Sequence, residues 1–278
     1  MGEVMANNEP IRHHWVPQYY LREFCDSDGK LFVLDKTRKK TFKTSPEGIA
    51  VERNFHTVDI KGVKHDDPYY LEKQISDNFE AIHSRFIRDL TLNLDAKHRF
   101  MNHNHKSMLA EIVGLQLLRT PRIREQTFDL AAREVGQPGT TLSQDDFAKI
   151  THLIMLDNNI SSSLPKIKGH LSNFTFQFLE VPSDSPYITS DVPVITGITD
   201  CGTGKMSLTM SQGIGKDGAE LYFPLTKKYL LVMGKSILGD KIRDCQIRQM
   251  NAKYSDEFNS MMQVACDNQI YSSFYIGI

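Results

Sequence analysis

Six apolar residues, Leu71, Ile75, Phe79, Ile82, Phe86 and Leu90, recur at spacings of three and four from Pro68 onward. That period is the stripe of one long amphipathic helix and excludes a strand. A second helix is expected from about His105 to Arg119, where Leu109, Ile112, Val113 and Gln116 fall on adjoining turns. Thr120-Pro121 then breaks the chain and starts a fresh helix, because proline disfavours helical backbone in the residue before it and itself suits the first helical position. Ser143-Gln-Asp-Asp146 resembles a capping box opening a helix towards Asn159. The chain over about 68–168 therefore reads as a helical block.

Both flanks have strand periods instead. Pro17 opens a short helix with Tyr20, Leu21 and Phe24 on one stripe, Asp28-Gly29 turns the chain into LFVLD, and a hairpin partner is expected around Thr41–Lys43. SPEGIA, with Ser45 as cap and Pro46 at the first helical position, gives a brief helix before the strand-like FHTVDI. Beyond Lys168 come the strands FTFQFLEV, YITS, ELYFPL and KYLLVMG, a glycine-rich loop over 197–218, a late helix over about 243–265 and a closing strand QIYSSFYI. Strands on both sides of a helical block predict an α+β fold whose terminal strands can share one sheet. No spacer, charge block or repeat divides the chain. One domain over 1–278 is expected, with a β-containing module over about 12–60, the helical block, and a strand-rich part over about 172–278.

A chain of 278 residues that is 40% hydrophobic can bury a substantial core. Its formal net charge of -1 gives no sequence-wide attraction to nucleic acid, so any basic surface is local. The N-terminus lacks the apolar stretch of a secretory signal, and no apolar run approaches the ~20 residues of a membrane helix. A cytoplasmic protein without a membrane partner is expected. Cys25, Cys201, Cys245 and Cys266 form no CxxC pair and read as reduced packing thiols.

Four segments in order, HHWVPQYYLREF, RTPRIRE, YITSDVPV and YFPLTKKYLL, resemble the mainly bacterial family catalogued as domain of unknown function 4238, from His13 to about Tyr271. The resemblance implies candidate positions rather than a mechanism. Two departures stand out, since members often carry tyrosine at the position of His56 and asparagine at that of Val192. Those two are set aside as carriers of chemistry.

His13 and His14 are adjacent, so an extended chain turns their rings to opposite faces, and only one is expected to enter a given site. His14 is preferred, because the N–H groups of a helix starting at Pro17-Gln18 favour an anion there. His13 and Gln18 would complete that binding surface; a histidine that merely fixes the arm is the competing reading. Arg119, Arg122 and Arg124 flank the Thr120-Pro121 break, where guanidinium forks suit phosphate or carboxylate. Each alone also serves as an ordinary helix-end charge partner. Ser190 and Asp191 follow the apolar YIT just before Pro193, which delivers a polar pair to a strand end. Asp191 there suits orienting a histidine or holding a metal and Ser190 suits binding, with a local Asx-type turn as the alternative.

Glu72, Ser76, Glu80 and His83 make a second stripe on the long helix. Glu80 and His83 have the Glu-x-x-His spacing of di-metal bundles, but the next helix offers Glu111 without its histidine. A solvated face is expected, with Glu80 lining a cleft as a lone carboxylate. Arg99 and His105 match the arginine-then-histidine spacing of metal-independent HEPN ribonucleases in residue type only, and a polar interhelical loop is the plainer reading.

Together these residues point to a phosphodiester hydrolase acting on RNA or DNA as a bacterial toxin or anti-phage effector. His14, Asp191 and Glu80 would do acid–base or metal-holding work, His13, Gln18, Arg119, Arg122 and Ser190 would surround the phosphate, and magnesium or manganese would suit the site. No P-loop or dinucleotide fingerprint is present. Two alternatives stay open: a non-enzymatic module binding a nucleotide, another phosphate ligand or a partner protein, and a homo-oligomer or companion of a neighbouring defence protein that docks through an exposed edge at QIYSSFYI. The first two readings share one expectation, that His14, Arg119 and Asp191 meet at one rim of the fold.

Overall fold

Proline 17 starts a helix that lasts a single turn. In this computed structural model, residues 11–57, 67–97, 101–134, 143–157, 159, 161, 163–199, 206–209, 213–234 and 244–277 are described, with the side chains of 130–134, 199 and 206 left aside. Strand β1 (Arg12–His14) leads into α1 (Gln18–Leu21), which tightens into a 3-10 turn over Arg22–Phe24 and buries Tyr20, Leu21 and Phe24. The hairpin β2 (Leu31–Asp35) and β3 (Lys40–Thr44) forms as expected. SPEGIA gives only a 3-10 turn over Pro46–Gly48, and Ser45 makes no side-chain cap. FHTVDI is not a strand where it is described. The strand β4 (Val51–Arg53) comes before it, Asn54–His56 turn, and residues 58–60 lie outside the described set.

The long helical stripe begins as its spacing predicts and then slips by one residue. Leu71, Ile75 and Phe79 are buried, but the next buried residue is His83 while Ile82 is 52% exposed. Helix α2 (Tyr70–Gln74) passes into a π-helical stretch over Ile75–Glu80 before α3 (Ala81–Asp95). A π turn closes i→i+5 and holds about one residue more than an α turn, so later side chains are rotated back by roughly 100°. The buried set becomes His83, Ile87, Leu90 and Leu94.

Helix α4 (His103–Leu118) starts at Asn102, which forms a reciprocal capping box with His105. From Leu109 to Leu118 all its residues but Glu111 are buried, as befits a helix that is apolar all round. Helices α5 (Pro121–Glu134), α6 (Gln144–Leu156, capped by Ser143) and α7 (Ser163–Ser172) complete the block. Gly114 permits close approach of α7, since a Cβ there would stand 3.0 Å from Ile167 Cγ2.

The remaining strands are β5 (Thr175–Glu180), β6 (Thr189–Ser190), β7 (Ile195–Thr199), β8 (Met206–Leu208), β9 (Ala219–Pro224), β10 (Tyr229–Gly234), β11 (Gln246–Gln249) and β12 (Gln269–Ser272), with α8 (Ala252–Ala265) before the last. Two expectations are corrected here. The glycine-rich stretch contains the paired strands β7 and β8, because Ile195, Thr196, Ile198 and Thr199 are β-branched around a single glycine. The late helix starts only at Ala252, where Asn251 accepts the Tyr254 N–H, and β11 occupies the segment before it.

One six-stranded sheet has the order β11-β5-β10-β9-β7-β8, and a four-stranded sheet has the order β3-β2-β12-β6. β12 pairs antiparallel with β2, so both ends of the chain share a sheet and the fold is α+β. β10 is buried throughout: Tyr229, Leu231 and Met233 belong to the same core cluster as Val113 and Leu117 of α4, while Leu230 and Val232 belong to the one that holds Phe258 and Met262 of α8. Among the described residues no helix is long and apolar enough to cross a membrane, and Cys25, Cys245 and Cys266 are free thiols. Cys201 lies outside the described residues.

His152, fully buried on α6, donates from Nε2 to the Leu118 carbonyl at 2.9 Å. Burial first, then Arg124 and His56, push its pKa down to about 3. With the folded value depressed, the unfolded chain binds the extra proton below the ordinary value near 6.5. Stability is expected to be full above pH ~6.5 and to fall by roughly 1.4 kcal/mol per pH unit below it, until about pH 3. Urea unfolding at about pH 7 and about pH 5.5 measures this loss. His152→Gln, which keeps a donor for Leu118, should lose less than the parent; an equal loss rejects the assignment.

Candidate functional site

β1 and β4 form a two-stranded ribbon in which Arg12 faces Arg53, His13 faces Glu52 and His14 faces Val51. Alternation buries His13 completely and leaves His14 partly exposed. After β4 the chain reverses at Asn54, whose φ of 60° is left-handed backbone that asparagine tolerates better than most residues. The reversal lays His56 against β1. The two rings stack with centroids 5.6 Å apart, and His13 Nδ1 accepts the His56 backbone N–H at 2.7 Å. An accepting Nδ1 carries no proton.

Glu72 closes this group from the helix. Its Oε2 lies 2.7 Å from His56 Nδ1 and 3.8 Å from His13 Nδ1. On an unbroken α-helix Glu72 and Glu80 would point about 80° apart; the extra residue of the π turn brings them to within roughly 20°. Glu80 accepts from Arg119 Nη2 at 2.9 Å. Arg119, 1% exposed at the end of α4, also donates to the His14 carbonyl, and Gln116 donates to the Trp15 carbonyl at 2.9 Å.

Burial, partly offset by Glu80 and reinforced by Arg119, lowers the His14 pKa and keeps its ring neutral. Burial, reinforced by Arg119, holds His56 well below the usual histidine range, and burial raises Glu72 against the pull of His13 and Arg119. His14 Nε2 and His56 Nε2 are buried without a hydrogen-bond partner among the described residues. Neutral imidazoles with uncommitted nitrogens beside two carboxylates can relay protons or hold a divalent cation.

The other expected residues are placed elsewhere. Arg122 donates through Nε to Asp267 Oδ1 at 3.0 Å and through Nη2 to the Ala265 carbonyl at 2.7 Å. Asp191 accepts the backbone N–H groups of Asp267, Asn268 and Gln269 at 3.1, 2.7 and 3.0 Å, and Ser190 Oγ makes a local turn with Val192. These residues gather at the α8–β12 connection. Among the described residues no hydrogen bond or ion pair joins Asp191 to His14, Glu80 or Arg119, so the expected meeting of three gives way to two groups. Gln18 accepts from Arg22 at 3.1 Å, and α1, at four residues, is too short to offer an anion site. Arg124 packs over Phe55 at 3.7 Å and donates to the Phe55 carbonyl.

Of the second helical stripe only Ser76 is exposed. The Glu72, Glu80 and His83 side chains are 14%, 28% and 1% exposed, Glu72 against the His13–His56 stack and the other two turned inward by the π stretch. His83 pairs with Glu111 at 3.2 Å and Glu111 with Lys168. His105 belongs to the α4 cap, and Arg99 lies outside the described residues. His56 and Glu72 were the residues that sequence reasoning passed over. The turn-forming Asn54 was the available signal for His56, whereas nothing local marked Glu72 apart from its place in the stripe.

Asp191 is expected to be a fold latch. Burial raises its carboxyl to about 6, while three amides depend on it. Asp191→Ala leaves those amides unpaired and should cost about 1–3 kcal/mol in urea unfolding. Unchanged stability would remove that role.

A family model described as "Protein of unknown function (DUF4238)" matches residues 12–274. No curated protein and no solved structure matches this chain. The matched span runs from the arm that carries His13 and His14 past the final strand β12, so it takes in both groups of polar residues. The chain belongs to the DUF4238 family.

Proposed function

We propose that this chain hydrolyses a phosphodiester, with His14 and Glu80 handling the proton that moves as the bond breaks. The observation that supports this reading is the surface around His14. Arg12 and His14 share one face of β1, and Arg12 stands directly across from Arg53. Like charges placed opposite each other on a ribbon are unfavourable unless something anionic offsets them. Arg12 and Arg53 line a shallow groove with Ile11, Val51 and Glu52 beside the site. A nucleic-acid backbone suits such a groove.

Arg119 and Arg122 take no phosphate in this reading, since both are largely buried and ion-paired with carboxylates, whereas Arg12 and Arg53 are exposed and Arg12 gives one bond to the Glu47 carbonyl. Arg119 acts as a positioning residue. A binding module that depends on these arginines is less well supported for the same reason.

The test is cleavage of labelled RNA and DNA by the purified chain, with zinc, manganese, magnesium or EDTA. His14→Ala and Glu80→Gln should slow cleavage by roughly 100-fold or more. Glu80→Gln leaves Arg119 a carbonyl acceptor but removes its counter-charge, so urea unfolding of the variant accompanies the rate measurement. Arg12→Gln and Arg53→Gln should weaken substrate binding and flatten its salt dependence. Relief of growth inhibition by His14→Ala would support a toxin or anti-phage role. Absence of cleavage, or cleavage indifferent to His14→Ala, rejects the proposal.

A further inference from the structure

We infer that His13, His56 and Glu72 bind a divalent transition ion of the zinc or manganese class. Each offers one ligand atom, and these atoms lie within 4.8 Å of one another. A four-coordinate ion with bonds of about 2.0–2.1 Å has ligand-to-ligand edges of roughly 3.3–3.4 Å. The two measured edges to Glu72 Oε2, 2.7 Å from His56 and 3.8 Å from His13, bracket that value. Shifts of roughly half an ångström bring them to it.

The donors meet the chemical requirement as well as the spacing. A metal ligand must present a lone pair; His13 Nδ1 is unprotonated, as its acceptance of the His56 amide shows, and an ion at that nitrogen takes the lone pair over from the amide. His56 is fully buried, yet its Nε2 has no hydrogen-bond partner among the described residues. The edge to Glu72 runs through His56 Nδ1, so on binding the ring carries its proton at the unpartnered Nε2 and Glu72 Oε2 is a ligand itself. The ion displaces the two hydrogen bonds within the trio, His56 Nδ1 with Glu72 and the His56 amide with His13 Nδ1.

Charge favours the same assignment. Arg119 is matched by Glu80, which leaves the Glu72 carboxylate beside two imidazoles. Imidazole nitrogen suits zinc, copper, iron and nickel best; manganese also prefers oxygen but sheds water more readily than magnesium, so of the two ions the sequence suggested magnesium is the more disfavoured. Glu72 is 14% exposed on its side chain, which gives an ion a way in, and His14 adjoins the trio along β1. The site stands on its own geometry whether or not the chain is a hydrolase. If it is one, the ion supplies the positive charge that an anionic substrate needs next to two carboxylates.

The full-length untagged chain, dialysed against EDTA, is titrated with zinc, manganese or magnesium chloride by calorimetry and thermal shift. One equivalent of zinc or manganese should bind and raise Tm, with magnesium doing neither. Cobalt(II) should give visible d–d bands shifted by nitrogen ligation. Glu72→Gln and His56→Ala should weaken zinc by more than ~100-fold, beyond the usual effect of an outer-shell change, while Asp146→Asn on α6 leaves it unaltered. Circular dichroism checks folding; should a variant not fold, the cobalt spectrum of the parent decides. No uptake by the parent, or undiminished uptake by both folded variants, overturns the site. Zinc uptake without cleavage keeps the site and rejects the hydrolase, whereas cleavage by a chain that takes up no ion does the reverse.

Discussion

Two side chains at the end of α4 hold the N-terminal arm in place. Gln116 donates to the Trp15 carbonyl and Arg119 to that of His14. The arm needs these donors because β1 and β4 are three residues each, and a ribbon of that size is not stable alone. Arg119 in turn needs Glu80. A buried guanidinium that loses its carboxylate costs about 3–5 kcal/mol, so Glu80 is tied to the fold before it is available to any chemistry. The histidines therefore stand where they do because the Arg119–Glu80 ion pair holds the His14 carbonyl.

That ion pair depends on a local irregularity. Without the π turn, the helix that carries Glu72 at one end and Glu80 at the other would present them to different sides. With it, one helix supplies a carboxylate to the His13–His56 stack and another to Arg119. The same turn leaves Ile82 in solvent and buries His83, an apolar-for-polar exchange that core packing alone would not choose. His83 is accommodated through Glu111 and Lys168, so the cost is met by a second ion-paired group across α4 and α7.

The sequence made legible what local periodicity controls. The helical block, the β2–β3 hairpin and the sharing of one sheet by both ends all followed from spacing and turn residues. The first half of QIYSSFYI was recognisable as a strand, but not as an interior one: β12 lies between β2 and β6, the latter pairing at Ile270 and Tyr271, so it is not the edge strand of its sheet. What escaped depends on a change of register or on contact between distant residues. A π turn has no period of its own to detect, and the stripe counted through it was off by one from Ile82 onward. His56 reaches His13 across 43 positions through a turn whose direction is set by Asn54. Asp191 was visible as a polar residue at a strand end, yet whether such a carboxylate faces a ligand or three amides is decided by which loop folds over it.

The break at Thr120-Pro121 then relates the two groups of residues that the sequence had merged into one. Arg119, just before the break, serves the arm and Glu80. Arg122, just after it, serves Asp267 and Ala265 in the connection that Asp191 closes from the other side. Arg124, one step further, covers Phe55 beside His56. A helix running straight through this point would send residues 119, 122 and 124 around one axis in a fixed spiral. The proline ends one helix and starts another, so each arginine can address a different element. The three therefore form no phosphate fork. They fix the arm, the turn bearing His56 and the C-terminal connection to a single junction, and the His13–His56–Glu72 geometry follows from where two of those three are held.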